Sequence, residues 1–134
     1  MPVSPSDPLL TVESSNQEWA EAARRLIAER AARRTTSVTW TYGELYAALK
    51  ALGLEHKKVA VPARDWMSEV LYSLALINAA YREPLMTSMV VRQDTGEVGE
   101  GYAIALRHRY GIVAPKRLAD HAAVERLKVI ASVR

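Results

Sequence analysis

The sequence predicts a mainly α domain carrying a small β-hairpin, and three observations point that way. Apolar residues recur at helical spacing over most of the chain. Ser15 with Glu18, and Thr41 with Glu44, set a hydroxyl and a carboxylate three residues apart, the pattern of a capping box at a helix start. Between 85 and 102 the pattern changes to a Val-containing run, an Asp94-Thr95-Gly96 turn and a second short run. With 134 residues, 49% of them apolar and 25% charged, the chain can build one globular core. It has no cysteine, which excludes disulfides, thiolate metal ligands and thiol nucleophiles.

Each element has its own reason. Residues 1–14 are expected to form a flexible N-terminal arm, because Pro2, Pro5 and Pro8 lack the amide donor a helix needs. Residues 15–134 are expected to form a single domain. The first helix is predicted over 16–34, with Trp19, Ala22, Ala23, Leu26 and Ile27 on one face. Glu21–Arg25 and Glu29–Arg33 are i,i+4 pairs on the other, each worth ~0.3 kcal/mol. Ser37-Val38-Thr39-Trp40 favours a strand. Thr41 and Glu44 then open a helix over 42–52 whose buried stripe is Leu45, Leu49 and Leu52, and Gly53 suits its left-handed end.

The segment 54–64 is polar and basic. A long apolar helix is predicted over 65–82, with Val70, Leu71, Leu74, Ile77 and Tyr81 on one side and Trp66 and Met67 widening the stripe. Pro84 ends it. Residues 85–93 read as a strand, 94–96 as a turn and 98–102 as the returning arm of a hairpin. Residues 102–110 favour a short helix closed by Gly111. A last helix is predicted over 116–131, with Leu118, Ala122, Leu127 and Ile130 turned inward.

Strand, helix, basic turn, helix, strand, turn, strand is the order of a winged helix, here with extra N- and C-terminal helices. Thr41-Tyr42-Gly43-Glu44-Leu45 resembles the segment that opens the helix-turn-helix of O6-alkylguanine-DNA alkyltransferases and their non-catalytic alkyltransferase-like relatives. Glu83-Pro84-Leu85, and Asp94 through Gly101-Tyr102, are similar to the segments flanking that family's active site. A group of small bacterial and phage proteins without a settled activity is more similar still. It shares the first motif and then the pattern carried here by Pro84, Leu85, Val90, Val91, Thr95, Gly96, Gly99, Gly101 and Tyr102. The likeness spans 38–110 and implies a winged-helix-like fold. The alkyltransferase reaction is not implied, because Met86-Thr87-Ser88-Met89 offers no thiol to accept an alkyl group. The family's base-flipping arginine has no counterpart either, Val59-Ala60-Val61 being only a faint echo.

For function, the net charge of +3 and pI of 9.3 lean towards polyanions. Lys57, Lys58 and Arg64 in the basic turn are the candidate phosphate contacts, with Tyr42 at a helix N-terminus in support. The same residues also fit a solvated loop and a packed tyrosine. The expected function is a non-enzymatic nucleic-acid-binding or regulatory protein acting on double-stranded DNA. The alternative is a protein-interaction module of phage or prophage type, binding a partner protein or a second copy as a homodimer. Asp94, Glu97 and Glu100 on the wing, which would repel phosphate, favour that alternative, as does the apolar face around Trp66, Tyr72 and Tyr81. No catalytic residue, metal site or cofactor is expected: no nucleophile elbow, P-loop or dinucleotide motif occurs, and His56, His108 and His121 lack metal-ligand spacing. The apolar run 70–80, broken by Ser73 and Asn78, falls short of the ~20 residues of a membrane span, so no membrane partner and a cytoplasmic location are expected.

Overall fold

The computed structural model describes residues 8–33, 37–54, 67–111 and 117–133. Their order is α1 (Pro8–Ala32), β1 (Trp40–Thr41), α2 (Tyr42–Ala51), α3 (Met67–Ala80), a 3-10 turn (Met86–Met89), β2 (Val90–Val91), α4 (Glu100–Tyr110) and α5 (Leu118–Val133). Helices dominate and the β structure is small, as the sequence predicts.

Helix α1 begins at Pro8 rather than at residue 16, so Ser15 lies inside the helix and is not its cap. Proline bars a helix only where its missing amide is needed; at the first helical position that amide has no partner to lose. Trp19, Ala23, Ile27 and Ala31 on one face of α1 are fully buried, each large side chain contributing roughly 2 kcal/mol. The alanines leave room for α3 and α5, which both lie against α1.

Helix α2 starts as expected. Thr41 Oγ1 accepts from the Glu44 amide (3.1 Å) and the Glu44 carboxylate accepts from the Thr41 amide (3.0 Å), satisfying two orphan donors at once. Leu45 and Leu49 enter the core, and the chain leaves through left-handed Gly53. Leu52, expected in that stripe, is exposed. Leu45 and Leu49 of α2 share one core cluster with Met67, Val70, Leu71 and Leu74 of α3 and with Trp19 and Ile27 of α1.

The sheet is not a hairpin. Strand β1 pairs with β2 in parallel, Trp40 opposite Val90 and Thr41 opposite Val91, with α2 and α3 in the crossover. The turn after β2 does form, with the Gly96 amide donating to Arg92 O and the Arg92 amide to Glu97 O, both at 2.8 Å. Its return arm does not become a strand. Val98 drops into the core and Gly99 caps α4, because Tyr102, Ala105 and Leu106 at helical spacing bury against Leu85, Val91 and Val98. Helix α4 ends at left-handed Gly111, where the sequence placed its stop.

Polar side chains fix the chain between α3 and β2. Asn78 is fully buried; its Oδ1 accepts from the Met86 amide (3.0 Å) and its Nδ2 donates to Glu83 (3.2 Å). Both oxygens of Glu83 receive the Arg24 guanidinium, at 2.8 and 2.5 Å. From α5, Glu125 accepts from the Leu85 amide (2.9 Å) and Arg126 donates to Ser88 O (2.6 Å). These bonds explain a register error in the sequence reading of α5. Ala122, Glu125 and Val129 face inward, while Leu127, expected inside, is 67% exposed. A carboxylate takes the inward position because buried donors await it there.

Candidate functional site

The described surface carries one concentration of exposed apolar side chains inside a concavity. A groove of about 690 Å³ runs between α1, α3 and α4. Tyr72 and Leu76 from α3 and Ile104 from α4 line it, and they are 38%, 50% and 44% exposed. Tyr72 and Leu76 are i,i+4 on the outer side of α3, whose inner side buries Val70, Leu71, Leu74 and Ala75. Asn16, Gln17, Ser68, Ser73 and the charged Glu69, which has a partner of its own, add polar groups to the lining. The Tyr72 ring meets His108 edge-on, with centroids 5.4 Å apart. Arg107, one helical turn beyond Ile104, has no carboxylate partner among the described residues.

A second, polar concentration lies on the seam of α4 and α5. Tyr110 donates to Glu125 (3.1 and 3.2 Å), Lys128 donates to the same carboxylate (3.0 Å), and the Tyr102 hydroxyl lies 3.2 Å from His121 Nδ1. Burial, then the charge of Glu125, pushes the pKa of both tyrosine hydroxyls above the ordinary phenol value, so both keep their protons near neutral pH. Lys128 is held charged by its bond to Glu125. The fully buried carboxylate carries the Leu85 amide, the tyrosine and the lysine, and ties α5 to α4 and to the chain before β2. This seam is a fastener.

Of the residues expected to contact DNA, Tyr42 is the first of α2 and its half-buried ring packs on the core. Its hydroxyl lies 3.0 Å from where a Cβ on Gly99 would stand, beside Arg92. Burial pushes its pKa above the ordinary phenol value, partly offset by the Arg92 charge. That is the packed-tyrosine alternative. Lys57, Lys58 and Arg64 lie outside the described residues, as do His56 and Trp66. Just before α5, Arg117 pairs with Asp120 at 3.4 Å. Of the acidic turn residues, Asp94 is taken up by Arg92 at 2.8 Å. Among the described residues no group of His, Asp and Glu could hold a metal ion, and no helix is long and apolar enough to cross a membrane.

The sequence singled out Tyr72, but not Leu76 or Ile104. Leu76 was hidden in a helix apolar on every side, and Ile104 becomes its neighbour only through the fold. No family model, curated protein or solved structure matches the chain.

Proposed function

We propose that this chain is a non-catalytic protein-interaction module whose groove between α1, α3 and α4 receives an amphipathic helix of a partner protein. The observation that carries this is the exposure of Tyr72, Leu76 and Ile104 inside one concavity. Apolar side chains gathered in a groove with a polar rim are the usual form of a helix receptor. A strand is a poor occupant. Both strands are two residues long, and Trp40, Val90 and Val91 are buried, so the sheet offers no free edge to extend. A helix satisfies its own backbone and needs only apolar contact plus a few polar ones. Arg107, which makes no ion pair among the described residues and stands one turn beyond Ile104 at the groove's α4 side, favours a helix with a carboxylate at that end of its apolar stripe.

Duplex DNA has less to rest on. Its route was a helix-turn-helix with a hairpin wing, whereas the sheet here is parallel.

The test uses two designed helical peptides with leucines at i, i+4 and i+7, one flanked by glutamates and one by lysines. The acidic peptide is expected to shift the NMR signals of Tyr72, Leu76 and Ile104. The basic peptide and the Leu76→Glu protein should bind at least tenfold more weakly. Equal binding of both peptides, or shifts away from the groove, would overturn the proposal. So would sedimentation of the free chain as a dimer that Leu76→Glu dissociates, which would put a second copy in the groove.

A further inference from the structure

Four described residues have left-handed backbones. Three are glycines: Gly53 after α2, Gly96 in the β2–α4 turn and Gly111 after α4. The fourth is Arg82, at φ 56°, one residue past the turn that closes α3. There the Glu83 amide donates to Asn78 O (2.8 Å) and the Arg82 amide to Ala79 O (3.2 Å), a helix ending that favours glycine. A side chain here crowds its own backbone, and a cation near the helix C-terminus recovers at most a comparable amount. The chain uses glycine at equivalent ends of α2 and α4. Arginine at the end of α3 therefore calls for a reason beyond folding.

Arg82 lines a pocket of about 430 Å³ together with Arg24, Arg25, Glu29 and Glu83. The two carboxylates are committed elsewhere: Glu83 takes the Arg24 fork on both oxygens, and Glu29 lies 3.7 Å from Arg33. Arg25, expected to pair with Glu21, makes no ion pair among the described residues, nor does Arg82; Glu21 instead accepts from Gln17 (3.4 Å). Two exposed guanidinium groups are thus left uncompensated around one concavity.

We infer that Arg25 and Arg82 form a binding site for a phosphate group, separate from the groove of Tyr72 and Leu76. Phosphate fits better than carboxylate. Arg24 with Glu83 shows one guanidinium satisfying both oxygens of a carboxylate. Two further guanidinium groups, one from α1 and one from the end of α3, suit a tetrahedral phosphate, whose unesterified oxygens point in different directions and present at least one to each. The group can come from free phosphate or from a nucleic-acid backbone, and both use the same two arginines.

The test compares the wild-type chain with Arg82→Gly and Arg25→Gln, titrated with inorganic phosphate and with a 20-base-pair DNA duplex. Arg82→Gly should keep or raise the melting temperature, since glycine suits that backbone, while weakening binding at least tenfold. Arg25→Gln should weaken binding similarly with the melting temperature unchanged. Saturation by inorganic phosphate, with the duplex binding no more tightly, identifies free phosphate. Tighter duplex binding, with a salt slope that falls by about one on Arg82→Gly, identifies the nucleic-acid backbone. The site is refuted if wild type binds neither probe. It is equally refuted if Arg82→Gly lowers the melting temperature and leaves binding intact, the behaviour of a plain helix cap.

Discussion

The connection from α3 to β2 and the outer face of α3 invert each other's chemistry. In the connection, buried and partly buried polar side chains are bonded to one another and to the backbone: Asn78 to Met86 and Glu83, Glu83 to Arg24, Glu125 to Leu85 and Arg126 to Ser88. On the outer face Tyr72 and Leu76 stand apolar in solvent, beside Ile104 of α4. A buried polar group persists only where its partners are in place, so the connection is held by mutual necessity. An exposed apolar group in a groove adds little to folding, and its cost in solubility is offset only by something that covers it. Substitutions in the first region should therefore unfold the protein. Those in the second should spare the fold and change what binds.

The largest effect is expected at Glu125. Replacing it with Ala strands the Leu85 amide and leaves Tyr110 and Lys128 without their acceptor. Urea denaturation should show a loss of about 3 kcal/mol. Glu125→Gln keeps an acceptor and should lose less than half of that. Next comes Asn78→Ala, which leaves the buried Met86 amide unpaired and should cost about 2 kcal/mol by the same measurement.

Acid should act more gently, through Glu83. The Arg24 hydrogen bonds hold this carboxyl below the ordinary carboxylate range, despite the opposing pull of burial. A depressed folded-state pKa means that its stabilisation is present above the unfolded value near 4.5 and is lost as pH falls through the lower, folded value. Both side chains are partly exposed, so the loss is of order 1 kcal/mol. Thermal melting between pH 6 and pH 3 should show a component of that size that disappears in Glu83→Gln. An unchanged pH profile in that variant would detach the ion pair from stability.

The sequence exposed these regions unequally, for physical reasons. Helix α2 was legible because Thr41, Glu44 and Gly53 carry its start and stop within a dozen residues. The stop of α4 at Gly111 and the span of α3 were legible in the same way. The partner of β2 was not. Trp40 and Val90 are far apart along the chain, and strands of two residues leave no alternation to read. The inward turn of Glu125 was hidden because it depends on the Leu85 amide and the Tyr110 hydroxyl, which the fold alone supplies. Arg82 gave a faint signal: no glycine stands between the end of α3 and Pro84, so another residue had to close that helix. Half of the groove was foreshadowed by Tyr72. Its completion by Ile104 was not, because only the fold packs α4 across α3.

The smallest expected effect is the most direct test of the division between the two regions. Urea denaturation of Leu76→Glu should return a stability within about 0.5 kcal/mol of wild type, because a charged side chain replaces one already in water. A loss of 2 kcal/mol or more, on the order of a core truncation, would place Leu76 inside the protein and close the groove.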